Sequence, residues 1–198
     1  TGGPGTGKTT IVKCLIYLLK LQGKKFCLLA PTGRASKRLS ESTMEEASTI
    51  HRALELNFKD NATSLFNRNE LNPINADSII IDEVSMVDVN IFYFLLKAIK
   101  KGSQIILVGD KDQLESVGYG DILNNVIGCG QIEVKSLDVN YRQGENNSII
   151  MNAQKINHSV TSLLFDEKSR LIRKKNENDM ISDIVSLYVK YFDANDPN

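Results

Sequence analysis

The sequence predicts an α/β fold, a mostly parallel sheet with helices on both faces. Short apolar runs at 26–30, 78–82 and 104–108 have the length and β-branched content of buried strands. Segments of helical periodicity alternate with them, as crossover connections require. A glycine-rich stretch opens the first helix, the usual beginning of such a unit when it binds an anion.

Each element follows from local signals. Residues 8–22 place Ile11, Val12, Leu15, Leu18 and Leu19 at helical spacing, and Gly23 ends the run. The strand at 26–30 runs into Pro31-Thr32-Gly33. A basic helix is predicted over 34–41 and another over 49–57, capped by Thr49. Residues 59–76 are rich in Asn and lack periodicity, so they read as loop or surface hairpin. The strand at 78–82 leads to an apolar helix over 88–100, closed by Gly102. After the strand at 104–108 come a helix over 120–127 and a short strand over 132–137. Helices at 146–157 and 178–192 flank a polar stretch, which gives a domain over 1–145 and a helical extension over 146–198.

A chain of 198 residues with 41% hydrophobic and 24% charged residues is globular in composition. No apolar run approaches the roughly 18–20 residues of a membrane helix. It opens on Thr1-Gly2-Gly3 without a leader, and its three cysteines have no Cys-x-x-Cys spacing. A cytoplasmic location is therefore expected, with neither a disulfide framework nor a zinc site. Cys14 and Cys27 sit among apolar residues and read as core. The 24 basic and 24 acidic residues cancel, but residues 1–59 carry 10 and 4, a net of +6, and residues 60–198 a net of −6. Neutrality thus excludes no nucleic-acid role, because binding depends on where charge sits.

Gly2-Gly3-Pro4-Gly5-Thr6-Gly7-Lys8-Thr9 matches G-x-x-x-x-G-K-[ST] in full. The glycines let the backbone wrap a phosphate, and Gly3, Pro4, Gly5, Thr6, Gly7, Lys8, Thr9 and Thr10 form the expected nucleotide-binding set. Lys8 is assigned to the β- and γ-phosphates of ATP and the Thr9 hydroxyl to Mg²⁺. Such a loop ordinarily follows a strand, and a strand upstream of Thr1 is expected. Asp82, at the end of a buried strand, is the second Mg²⁺ candidate, and Glu83 the candidate base for an attacking water.

Asp82-Glu83-Val84-Ser85-Met86-Val87-Asp88 resembles the second motif of RecD-like superfamily-one DNA helicases. Leu107 through Gly109-Asp110-Lys111-Asp112-Gln113-Leu114 to Ser116-Val117-Gly118-Tyr119-Gly120-Asp121 resembles the third. Ala30-Pro31-Thr32-Gly33-Arg34-Ala35-Ser36 and Thr49-Ile50-His51-Arg52 resemble the strand-binding motifs, and Leu137 through Tyr141-Arg142-Gln143 the fourth. The matches run in family order through residue 158.

The resemblance implies a RecA-like P-loop NTPase domain, the first motor domain of an ATP- and Mg²⁺-dependent 5′-to-3′ translocase that unwinds DNA in recombination and repair. It implies that Gln113 bonds the γ-phosphate or the attacking water, with a loop-stabilising amide as the plainer reading. It gives Arg142 to transition-state charge, with a surface ion pair as the plainer reading. Pro31, Thr32, Gly33, Arg34, Thr49, His51, Arg52, Val117, Gly118 and Tyr119 become the single-stranded DNA set. His51 is a hydrogen-bonding or stacking residue or a structural one, and Tyr119 either stacks on a base or covers the core. Glu115 and Tyr119 depart from prolines usual in the family, which loosens the third-motif loop. Arg34, Lys37 and Arg38 share one helix face, while Arg170, Arg173, Lys174 and Lys175 read as solvated surface. The implied partners are single-stranded DNA, a second RecA-like domain of the full-length chain, and subunits of a nuclease–helicase complex. On this reading the 198 residues alone are poorly active. The competing readings are a superfamily-one RNA helicase and a non-catalytic, nucleotide-gated DNA-binding subunit.

Overall fold

The computed structural model describes residues 1–56, 66–141, 148–157, 159–166, 172 and 176–191. The chain divides into two units, Thr1–Glu145 and Asn146–Asn198.

The first unit begins with α1 (Lys8–Leu21), β1 (Phe26–Ala30), α2 (Gly33–Thr43), β2 (Ala47–Thr49) and α3 (Ile50–Ala53). It continues with β3 (Ser78–Ile81), a 3₁₀ turn at Val84–Met86, α4 (Val89–Ala98), β4 (Gln104–Leu107) and α5 (Ile122–Gly128). The strands form one parallel sheet in the order β2-β1-β3-β4. Alternation across the pleat, with both faces covered, explains why β1 is apolar throughout and β3 is apolar after Ser78. Leu28 and Ile80 pack on one face with Val12, Ile16 and Leu19 of α1 and Leu39 of α2. Leu29, Ile79 and Ile81 pack on the other with Ile50 of α3, Leu95 and Ala98 of α4, and Ile122 and Leu123 of α5. The predicted fold class therefore stands, with helices on both faces.

Several expectations need correction. The strand expected at 132–137 reduces to a single parallel bridge between Leu137 and Gly2, and Ile132 and Val134 are exposed. The helix expected over 49–57 is the four-residue α3, because Glu55 adopts a left-handed φ of 54° and turns the chain. Ala47–Thr49, of which the sequence assigns only Thr49, as the helix cap, pairs with Leu28–Ala30 as β2. Within the expected loop, Phe66 bridges Leu56 and is buried in the core; residues 57–65 lie outside those described. On α1 the buried face is Val12, Ile16 and Leu19, while Ile11 and Leu18 are about half exposed. Cys14, expected in the core, shares that outer face and is exposed; Cys27 is half-buried.

The second unit contains α6 (Ser148–Asn157) and α7 (Glu177–Tyr191). The Asn152 amide grips the Leu164 backbone from both sides, accepting from its N–H at 2.7 Å and donating to its carbonyl. His158 and the cluster Arg170, Arg173, Lys174 and Lys175 lie outside the described residues. Among the described residues no helix is long and apolar enough to cross a membrane.

Candidate functional site

A parallel sheet delivers all its strand exits to one edge, and this edge collects nearly every residue singled out by sequence. Pro31 follows β1, Ile50 follows β2, Asp82 follows β3 and Gly109 lies just beyond β4. In open α/β sheets this carboxyl edge is where ligands bind.

The glycine-rich loop arrives at the same place. Gly5 and Gly7 have φ of 78° and 91°, so the backbone alternates in hand and makes the concave amide surface that suits a phosphate. The Thr6 hydroxyl donates to the Gly3 carbonyl at 2.8 Å and fixes the curl. Lys8 donates to the carbonyls of Gly2 at 2.6 Å and Gly3 at 2.9 Å, which holds its ammonium at the mouth of the loop. Thr9 is half-buried, and Thr10 and Pro4 are exposed. No acid occupies the first turn of α1, so its positive end has no neutralising side chain of its own.

The loop is tied to two other segments. Its Gly2 N–H donates to the Gly109 carbonyl at 3.2 Å. From the other side, Leu137 N–H donates to the Thr1 carbonyl and Tyr141 N–H to the Gly5 carbonyl, both at 2.9 Å. The Asn140 amide donates to the Pro4 carbonyl at 2.7 Å. Residues 137–141 therefore run along the loop, and Arg142, the next residue, lies outside those described.

Asp82 continues β3, its N–H bonded to the Leu29 carbonyl at 2.9 Å. One carboxylate oxygen accepts from the Glu83 N–H at 3.0 Å. Burial raises the Asp82 carboxyl above its ordinary range, opposed by that hydrogen bond and by the charges of Lys8 and Arg38. Glu83 is raised too, first by burial and then by the neighbouring Asp82, with Lys8 and Arg38 again opposing. Glu83 also holds a left-handed φ of 55°, an uncommon conformation for this residue type. It sends the chain straight into the 3₁₀ turn and leaves the carboxylate half-buried at the edge.

Gln113 closes a turn whose base is Asp110, with its N–H on the Asp110 carbonyl at 3.2 Å. Its amide oxygen accepts from the Ser85 hydroxyl at 2.9 Å. Gly109 permits this approach, because a Cβ there would meet Leu123 Cδ2 at 2.8 Å and the Val84 and Ser85 nitrogens at 3.4 and 3.5 Å. Lys8, Asp82 with Glu83, and Gln113 are thus on three segments held by a common set of contacts.

The strand-binding set lies one and two strands away. Thr32 caps α2 by accepting from Ala35 N–H at 3.2 Å, and Thr49 caps α3 by accepting from Arg52 N–H at 3.1 Å. Those hydroxyls do structural work, while Gly33, Arg34, His51 and Arg52 are exposed and Pro31 is half-buried. The His51 ring sits 6.3 Å from buried Phe66, so one side of it is backed by the core. The loop 116–120 lies on the start of α4. Val89 N–H donates to the Tyr119 carbonyl at 2.9 Å, and Gly118 fits where a Cβ would stand 2.6 Å from that of Asp88. Val117 and Tyr119 face solvent, the latter 85% exposed, so Tyr119 does not cover the core. Sequence reasoning gave no role to Ser85, Gly109, Asp88 or Asn140. Only Gly109, between an apolar run and an acid, carried a signal.

No cluster of three or more metal-ligating side chains occurs among the described residues. A Mg²⁺ ion bound with nucleotide needs only one or two protein oxygens beside the phosphates, and a hydroxyl and a half-buried carboxylate fit that donor set.

Comparison with known proteins is consistent with this arrangement. The model of the AAA domain family matches residues 1–119. The ATP-dependent RecD2 DNA helicase of Deinococcus radiodurans is 37% identical over 172 residues, covering 86% of this chain and 23% of its own length. The RecBCD enzyme subunit RecD of Mycolicibacterium smegmatis is 37% identical over 170 residues, covering 74% and 30%. This chain therefore spans about a quarter to a third of those relatives. Among solved structures, Bacteroides Pif1 bound to ssDNA superposes with a TM-score of 0.56 at 19% identity, over 98% of this chain and 52% of that one. Pif1 from Bacteroides sp in complex with ADP-AlF4 gives 0.53 at 23% identity, over 82% and 42%. At these identities the structures speak to the RecA-like fold alone.

Proposed function

We propose that this chain, which belongs to the AAA domain family and is a RecD-like homologue within it, is the ATP-binding half of a DNA helicase that translocates 5′ to 3′ on single-stranded DNA. The observation that carries this reading is the convergence on one sheet edge of Lys8, Asp82, Glu83 and Gln113, beside the exits of β1 and β2 that present Arg34, His51 and Arg52.

In this reading the loop from Gly3 to Thr10 wraps the phosphates and Lys8 neutralises them. Thr9 and Asp82 would hold Mg²⁺, which supplies charge neutralisation at the phosphates. Glu83 orients the attacking water and takes its proton. Burial and the neighbouring Asp82 raise its pKa, which makes it a stronger base than an exposed carboxylate. Gln113 reports on the γ-phosphate, and Arg142 is assigned to developing charge on the transferred group. Arg34, Arg52 and the backbone from Pro31 to Gly33 grip nucleic-acid phosphates. His51, Val117 and Tyr119 offer surfaces to bases, and Thr49 and Gly118 hold those segments in place.

We assign the rest of the machinery to the full-length protein: a second RecA-like domain that closes the nucleotide cleft, and, in an assembly of the RecBCD type, nuclease–helicase partners. The location follows as cytoplasmic. The 198 residues are expected to bind nucleotide weakly, hydrolyse it poorly and unwind nothing. Strong DNA-stimulated ATPase from the isolated chain would refute that division of labour. In the full-length protein Glu83→Gln is expected to cut turnover by about two to four orders of magnitude while sparing ATP binding. Unchanged turnover removes Glu83 as the base. Stronger stimulation by RNA than by DNA replaces the DNA assignment with an RNA one.

A further inference from the structure

We propose that Ser85 is a positioning residue for Gln113: its buried hydroxyl holds the amide oxygen, so that the amide nitrogen is the atom presented to the γ-phosphate of a bound nucleoside triphosphate. This deepens the function proposed above and rests on it.

Gln113 alone is poorly suited to sensing anything. It is exposed, it sits in a turn, and a free glutamine side chain loses much rotamer entropy when it is fixed. Ser85 is the opposite case, only 6% exposed and part of the 3₁₀ turn directly after Glu83. That turn is anchored by Val84 N–H on the Val108 carbonyl at 3.0 Å and Met86 N–H on the Glu83 carbonyl at 3.1 Å. A buried hydroxyl thus meets an exposed amide at 2.9 Å, and the side chain is held at its far end as well as at its backbone.

The pairing also selects what the amide can do. An amide oxygen only accepts, so the Ser85 hydroxyl donates to it, and the free end of Gln113 is then the NH₂ group with two donors. Phosphate oxygens only accept, so they suit that end. A water losing one proton to Glu83 would use an acceptor for its other proton, and Ser85 already occupies one of the two lone pairs of the Gln113 oxygen. Of the two roles open to Gln113, contact with the phosphate is the one that Ser85 favours. Ser85 stands two residues after Glu83, so the same short turn places the base and aims the sensor.

The test is binding of ADP and of a non-hydrolysable ATP analogue, with Mg²⁺, to the 198-residue chain and to Ser85→Ala, Gln113→Ala and the double variant. The unmutated chain should prefer the triphosphate. Each single variant should lose about five- to tenfold of that preference, the worth of one hydrogen bond, with ADP affinity unchanged. The double variant should be no worse than Gln113→Ala, and Ser85→Thr, which keeps the hydroxyl, should recover most of the preference. The proposal is overturned if Ser85→Ala keeps the full preference, if it weakens ADP equally, or if its effect multiplies with that of Gln113→Ala. A chain that prefers neither nucleotide overturns it too, since nothing then reads the γ-phosphate. A chain that binds neither removes the nucleotide-site reading itself.

Discussion

Gly109→Ala isolates one physical quantity, the space between the second- and third-motif segments. Gly109 does not have a positive φ, so an alanine there carries no left-handed strain and the whole cost is steric. Its Cβ would lie 2.8 Å from Leu123 Cδ2, against the ~3.5–4.0 Å of an ordinary carbon–carbon contact. Relief requires a movement of about 1 Å. Leu123 is 4% exposed and packs in the cluster with Ile122, Val84 and Val87, so it has little room to give. Overpacking of this kind costs about 1–3 kcal/mol. For a domain of this size that lowers the melting midpoint by roughly 3–9 °C. Thermal unfolding followed by circular dichroism should be run on Gly109→Ala, Leu123→Ala and the double variant. Leu123→Ala alone leaves a cavity worth about 2–5 kcal/mol, and the added methyl should cost almost nothing in that background. Gly102→Ala is the control: its φ is 90° and nothing lies within 4 Å of the added carbon. Its cost of about 1–2 kcal/mol is conformational and should not change when Leu123 is shortened. A wild-type midpoint for Gly109→Ala, or the same loss with and without Leu123, refutes the steric account.

Two further outcomes follow from burial. Cys14 and Cys129 are exposed, whereas burial and the nearby charge of Glu46 push the Cys27 thiol up to about 11. Ellman titration of the native chain at pH 8 should show two fast thiols and a third that reacts only on unfolding; three fast thiols contradict the placement of Cys27. Asp82 and Glu83 have carboxyls raised by burial, so their ionised forms destabilise the unliganded fold, and the penalty disappears as pH falls through the folded-state values. Asp82→Asn and Glu83→Gln should therefore raise the melting midpoint at pH 7, with a gain that shrinks on acidification toward the ordinary carboxyl range. A lowered midpoint at pH 7 would show that the hydrogen bond on Asp82, or the charges of Lys8 and Arg38, outweigh their desolvation.

The sheet core was legible because β1, β3 and most of β4 are uninterrupted apolar runs of strand length. β2 was not, since Ala47-Ser48-Thr49 has no apolar pattern and is a strand only through its pairing with Leu28–Ala30. The exposure of Cys14 on α1, where core was expected, has a different origin. Ile11, Val12, Cys14, Leu15, Ile16, Tyr17, Leu18, Leu19 and Leu21 surround the helix, so periodicity announces a helix without saying which side is inside. At the site, residue types gave the phosphate loop and the carboxylates, because their chemistry is local to a few consecutive positions. The Ser85–Gln113 bond spans 28 residues, and the grip of Asn140 on Pro4 spans 136. Neither leaves a mark on its own neighbourhood. Tyr119 was undecided for the same reason: only the docking of its carbonyl on Val89 fixes the loop so that the ring faces solvent.

The register of the sheet bears on how the two proposed halves of the site communicate. Leu29 pairs with Ile81, and its carbonyl accepts from Asp82 N–H, which sets the end of β1 beside Asp82. Ala30 pairs in turn with Thr49, the cap that starts α3. Neighbouring strands lie about 4.8 Å apart, so the residues assigned to nucleotide and those assigned to nucleic acid are adjacent across single rows of backbone hydrogen bonds. No long relay through the core is needed for one to feel the other. The charges support the same geometry: Arg38, on the helix that Thr32 caps, already acts on both Asp82 and Glu83. Within the first unit, basic charge from α2 and acidic charge from the end of β3 therefore meet along one sheet edge, where Arg38 acts on the acids leaving β3. A change of charge between those acids must be felt by the helix that carries Arg34 and Arg38.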